Sequence, residues 1–125
     1  MVDIDRFASF NNTHGHLIGD EVLREIGSLL SKRIRGKGKA YRYGGDELTV
    51  ILPNFSSNEA AALAEELRRS IERVSISTLT LSATVSIGVA CLPDHANEAN
   101  ALEERAESGC IQRKELRTQA SSSEW

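Results

Sequence analysis

The sequence predicts an α+β domain: an antiparallel-rich sheet flanked by helices. Three observations carry that prediction. Strand-like runs come in pairs around a turn, as at residues 40–43 and 48–52, joined through Gly44-Gly45-Asp46-Glu47. Two longer stretches repeat apolar residues at helical spacing instead. Finally, 125 residues without an internal repeat or a linker fit one compact core.

The elements follow in order. Met1-Val2-Asp3-Ile4-Asp5 reads as the end of a strand. Residues 6–19 mix apolar and turn-forming types and predict a short helix followed by a glycine-bearing loop. From Asp20 to about residue 35, Val22, Leu23, Ile26, Leu29, Leu30 and Ile34 mark one face of a helix, which Gly36-Lys37-Gly38 stops. The hairpin comes next, its second strand ended by Pro53-Asn54. Ser56 with Glu59 makes a capping box for a helix that buries Ala60, Leu63, Ala64, Leu67, Ile71 and Val74. Ala83, Val85, Ile87 and Val89 alternate with Thr84, Ser86 and Gly88 as a strand, with residues 76–81 as its expected hairpin partner. Pro93-Asp94 ends that run, and residues 97–117 predict a polar helix with Leu102, Ala106, Cys110 and Ile111 inward. Residues 120–125 form a loose tail. The order is β-α-β-β-α-β-β-α.

Composition narrows the function. Lys and Arg number 15 against 18 Asp and Glu, a net charge of −3. That balance argues against a general nucleic-acid binder, which carries a basic field. No apolar run reaches the ~20 residues that cross a bilayer, and Asp3 and Asp5 stand where a signal peptide would be basic. Cys91 and Cys110 match no metal spacing and read as free thiols. A cytoplasmic location, without direct membrane contact from this segment, is the expectation.

Two acidic motifs carry the chemistry. Asp3-Ile4-Asp5 puts two carboxylates on one face of a strand end, which reads either as a solvated turn or as a hard-cation site suited to Mg²⁺ with phosphate. Gly44-Gly45-Asp46-Glu47 adds two acids at a hairpin tip, where glycines turn tightly and let a large anion approach. As a bare string it also fits an ordinary turn. His14-Gly15-His16 lacks a third ligand for a zinc site.

Asp3-Ile4-Asp5-Arg6-Phe7, Asn11, Gly15-His16-x-x-Gly19-Asp20, Arg42-Tyr43-Gly44-Gly45-Asp46-Glu47-Leu48 and Ser86-Ile87-Gly88-Val89-Ala90 occur in that order. In combination they resemble the GGDEF domain of bacterial diguanylate cyclases, over residues 1–119. The resemblance implies a nucleotide cyclase and polymerase palm-like (ferredoxin-like) fold. It also implies a reaction in which two facing subunits of a homodimer each hold one GTP, condensing them to cyclic di-GMP and releasing pyrophosphate. By the same resemblance, Asp3, the carbonyl of Ile4 and Asp46 look like ligands of Mg²⁺ or Mn²⁺. Asp46 and Glu47 carry catalysis, and Phe7, Asn11, Asp20, Gly44, Gly45 and Lys114 bind substrate. Asn11 and Asp20 fall on guanine-reading positions, where a carboxylate accepts from N–H groups that adenine lacks; the plainer reading of Asp20 is a helix cap.

Departures from the family pattern accompany the matches. The family's first helix is missing, so the sequence reads as truncated at its N-terminus. Ala8 replaces a usual lysine, Asn12 an aspartate, His14 an aromatic residue, Leu48 the signature phenylalanine and Thr118 a phosphate-binding arginine. The family's product-feedback site, Arg-x-x-Asp, corresponds to Arg35-Gly36-Lys37-Gly38, which lacks the aspartate. The alternative reading is a weak or inactive module that binds GTP or a partner and regulates an attached sensory or phosphodiesterase domain.

Overall fold

The computed structural model describes residues 1–74, 82–92, 98 and 100–107. In chain order the elements are β1 (Val2–Ile4), α1 (Phe7–His14), α2 (His16–Arg33), β2 (Lys39–Arg42), β3 (Glu47–Ile51), α3 (Ser57–Glu72) and β4 (Val85–Ile87), followed by a helical segment over 100–107. The strands form a four-stranded sheet ordered β2-β3-β1-β4, with every neighbouring pair antiparallel.

Register sorts the sheet into two chemically distinct faces. Val2 stands opposite Leu48 and Ile87, Ile4 opposite Val85, and Asp3 opposite both Glu47 and Ser86. Residues directly across a ladder point to the same side. One face is therefore Val2, Ile4, Leu48, Val85 and Ile87, and the other carries the row Glu47–Asp3–Ser86. The apolar face packs with Val22, Leu23, Ile26, Leu30 and Ile34 from α2 and its C-terminal turn. Leu63, Ala64, Leu67 and Ile71 from α3 complete this core. Ile4, Leu30, Ile34 and Ile71 are fully buried, each contributing roughly 1.5–3 kcal/mol by leaving water.

Local signals set most element ends. Ser56 Oγ accepts from the Glu59 N–H while Glu59 Oε1 accepts from the Ser56 N–H, both at 3.2 Å, so the capping box forms. Gly36 takes φ +79 in the turn after α2.

Several expectations are corrected. α2 starts at His16, not Asp20; the expected loop shrinks to Gly15, whose φ of +88 breaks the chain between two consecutive helices. Gly19 is buried inside α2 because α1 packs against it. The hairpin strands lie one residue earlier than expected. Ser86 is fully buried, with its hydroxyl donating to Asp5. The predicted strand at 76–81 and the tail lie outside the described residues, as do Cys110, Ile111, Lys114 and Thr118.

Candidate functional site

The β1–β3 ladder brings the two acidic motifs together. Asp3 faces Glu47 across it, and the Ile4 N–H donates to the Asp46 carbonyl at 3.2 Å, one residue past the regular pairing. Strand edges far apart in sequence thus place Asp3, Ile4, Asp46 and Glu47 side by side. Asp46 and Glu47 are half-buried, and one oxygen of Asp3, Oδ1, is buried. These are hard oxygen donors from two segments, the share a protein supplies to Mg²⁺ or Mn²⁺ when substrate phosphates complete the shell. Among the described residues no three His, Cys, Asp or Glu side chains gather as a self-sufficient metal cluster.

Asp5 has a different task from the one its position beside Asp3 predicts. Its Oδ1 accepts from Ser86 Oγ at 2.6 Å and its Oδ2 from Thr84 Oγ1 at 2.8 Å, while its N–H donates to the Thr84 carbonyl at 2.9 Å. The carboxylate braces the β1 exit against β4. Sequence reasoning missed this because the serine and threonine lie about eighty residues away.

At the hairpin tip, the N–H groups of Tyr43 and Gly44 both donate to the Glu47 carbonyl, at 2.9 and 3.3 Å. Neither Gly44 nor Gly45 has a positive φ, and a Cβ on either would meet nothing within 4 Å. The expected turn-forming reason for these glycines is therefore absent; what they leave is open space over the tip. The Arg42 guanidinium, given no role by the sequence reading, donates through Nε to the Gly44 carbonyl at 3.1 Å and through Nη2 to the Gly45 carbonyl at 3.0 Å. The charges of Glu103 and Glu107, then burial, then the charge of Glu47 push the Tyr43 phenol up, so helix 100–107 brings acid to this corner.

The second half of the site lies between α1 and α2. Asn11 Oδ1 is buried and accepts no hydrogen bond among the described residues. It rests directly on Gly19, where a Cβ would come within 1.8 Å of it. Asp20 is exposed and inside α2, so the helix-cap reading fails: Gly15 occupies the cap. Asp20 opens onto a groove of about 350 Å³ shared with Leu23 and Arg24 of α2 and with Tyr41, Arg42 and Leu48 of the hairpin. Arg42, which also bonds the carbonyls of the glycine tip, is one of its lining residues. Phe7 packs half-buried against the core. Lys114 lies outside the described residues. The His14 ring packs tilted against Phe10, with centroids 4.6 Å apart and planes at 48°.

The chain is thus a palm-like α+β domain with paired acids on adjacent strands and a glycine hairpin beside a groove. The family model described as "Diguanylate cyclase, GGDEF domain" matches residues 1–120, and the chain belongs to the GGDEF family. It is 38% identical over 117 residues to Diguanylate cyclase A of Treponema denticola, covering 92% of this chain and 32% of that protein. Response regulator PleD of Caulobacter vibrioides is 37% identical over 118 residues, covering 91% of this chain and 26% of the relative. The chain thus spans about a third or less of the curated relatives it matches. The fold superposes on the GGDEF domain of YfiN (TpbB) from Pseudomonas aeruginosa with a TM-score of 0.86 at 31% identity, covering 92% of this chain and 73% of that one.

Proposed function

We propose that this chain is a diguanylate cyclase domain, condensing two GTP into cyclic di-GMP with release of pyrophosphate. The observation that carries the reading is the register that sets Asp3 against Glu47 and ties Ile4 to Asp46, in a chain whose relatives include a protein named as a diguanylate cyclase.

Asp3, Ile4 and Asp46 would hold Mg²⁺ or Mn²⁺, which when bound neutralises triphosphate charge and lowers the barrier to attack by a 3′-hydroxyl. The protein's own share is positioning. Asp3 and Asp46 supply carboxylates for the metal that would carry the triphosphate, and Glu47 adds a third beside them. Gly44 and Gly45 leave room for phosphate to approach the backbone. Asn11 and Asp20 orient guanine, with the Asp20 carboxylate accepting from N1–H and the 2-amino group. Because one chain holds one GTP, the reaction needs a homodimer in which two such faces meet.

Incubation with GTP and Mg²⁺ or Mn²⁺, with product read by mass, tests the activity. Cyclic di-GMP that disappears in Asp46→Ala supports it. A second reading, binding without turnover, is favoured by Ala8, exposed on the first turn of α1, which supplies no cation where the family carries lysine. It forecasts tight Mg–GTP binding and no cyclic product. Under either reading, Asp3→Ala removes most metal-dependent GTP affinity; unchanged calorimetric binding in that variant refutes the site.

A further inference from the structure

We infer that Arg42 is a positioning residue: its guanidinium fork turns the glycine tip so that two backbone N–H groups present themselves together to a phosphate oxygen. The inference rests on the nucleotide reading above and adds to it the group that shapes the phosphate-facing backbone.

Nothing else in the tip accounts for its shape. Gly44 and Gly45 adopt no left-handed backbone conformation and touch nothing through the space a Cβ would fill, so neither local geometry nor packing holds them. The ladder ends at the Tyr43 and Gly44 bonds to the Glu47 carbonyl. Beyond that point the peptide units after Gly44 and Gly45 are held through their carbonyls, by Arg42 Nε at 3.1 Å and Arg42 Nη2 at 3.0 Å.

A trans peptide is planar, and its carbonyl and its N–H point to opposite sides. Drawing the Gly44 carbonyl toward Arg42 therefore sends the Gly45 N–H away from it. Drawing the Gly45 carbonyl the same way sends the Asp46 N–H away too. Neither N–H donates a hydrogen bond among the described residues. Two successive outward N–H groups form an anion-binding concavity of the kind that cradles phosphate. The absence of a Cβ at positions 44 and 45 leaves it open. Preorganisation matters because flexible glycines otherwise lose conformational entropy on binding. The planar fork suits this task as an ammonium does not: lysine reaches one carbonyl and leaves the other peptide free to rotate. Arg42 also lines the groove onto which Asp20 opens, so the residue that holds the tip borders that groove as well.

The test uses the full chain with Arg42→Lys and Arg42→Gln. Amide ¹H–¹⁵N shifts of Gly44, Gly45 and Asp46 are recorded without ligand, and Mg–GTP affinity is measured by calorimetry. The expected result is that all three amides move in both variants, thermal unfolding stays close to wild type, and Mg–GTP affinity falls roughly tenfold or more. Ethylguanidinium added to Arg42→Gln should recover part of the loss, a rescue that a general packing defect would not show. Unmoved amides overturn the clamp even when wild type binds GTP. Amides that move while affinity holds overturn the positioning role. Wild type that binds no Mg–GTP brings down the nucleotide reading and this inference together, and the ligand-free shifts separate that failure from failure of the clamp.

Discussion

Gly19 and Gly38 are glycines for different neighbours, and the difference decides what each substitution does. At Gly19 a Cβ would collide with the end of a side chain, Asn11 Oδ1 at 1.8 Å. A side-chain end can swing away at little cost, while alanine inside a helix is favourable by about 1 kcal/mol relative to glycine. Gly19→Ala should therefore keep its melting temperature within a few degrees, yet lose guanine-over-adenine preference to the level of Asn11→Ala, with the double variant no worse than either. Competition of GTP binding by ATP reads this directly. A Gly19→Ala protein with undiminished GTP preference would show that the Asn11 amide reads nothing. At Gly38 the Cβ would meet backbone instead, the Ile51 carbonyl at 2.1 Å. Gly38→Asp, the change that restores the family's Arg-x-x-Asp, should therefore destabilise the hairpin rather than build an inhibitory site. Denaturant midpoints should fall and Arg35-dependent binding of cyclic di-GMP should stay absent; tight binding with an unchanged midpoint contradicts this.

At the scale of elements, the best-defined boundary is the start of α3. Ser56 and Glu59 satisfy each other's backbone N–H groups, the helix follows at Ser57, and its buried face is Ala60, Leu63, Ala64, Leu67 and Ile71. Along the flank of that face Arg68 sits between Glu65 and Glu72, a half-exposed set of i,i+3 and i,i+4 pairs that adds little stability. Ser56→Ala should cost about 1 kcal/mol in urea unfolding, with an unchanged slope because the surface exposed is the same. Ser56→Asp, which keeps an acceptor, should cost much less. Equal losses in both would mean the cap bond contributes nothing. α2 teaches the reverse: its start is hidden, because His16-Leu17-Ile18-Gly19 has no capping signal and Gly19 looks like a breaker until α1 is seen packed on it. β1 is short, three residues, yet it is the strand that both acid-bearing and hydroxyl-bearing neighbours pair with.

For the whole molecule, the proposed site is assembled from pieces that are each incomplete. Asp3 and Ile4 come from β1, Asp46 and Glu47 from the hairpin, and Asn11 and Asp20 from α1 and α2. A ligand that bridges them binds the folded state only, so Mg–GTP at a hundred times its dissociation constant should stabilise the protein by about 2.7 kcal/mol. Thermal unfolding with GTP and with and without Mg²⁺ measures this. The gain should vanish on chelation and in Asp3→Ala; a gain that survives chelation means the anion is held without the acids.

By itself the sequence determined what is local or periodic. The helical faces at Val22–Ile34 and Ala60–Ile71 follow from apolar spacing that no other element satisfies, and the hairpin and capping box follow from residues within a few positions of each other. The motif order was enough to reach the family. The tertiary structure decided what depends on distant partners. Register, not spacing, put Asp3 across from Glu47. The hydroxyls of Thr84 and Ser86 took Asp5 out of its expected pairing with Asp3. The packing of α1 explained Gly19, and the carbonyls of Gly44 and Gly45 became the hydrogen-bond partners of Arg42. The physical reason is the same in each case: backbone propensity and periodicity act over a few residues and are written in the chain, whereas a hydrogen bond or a steric exclusion belongs to a pair of groups, and the fold alone says which pairs meet.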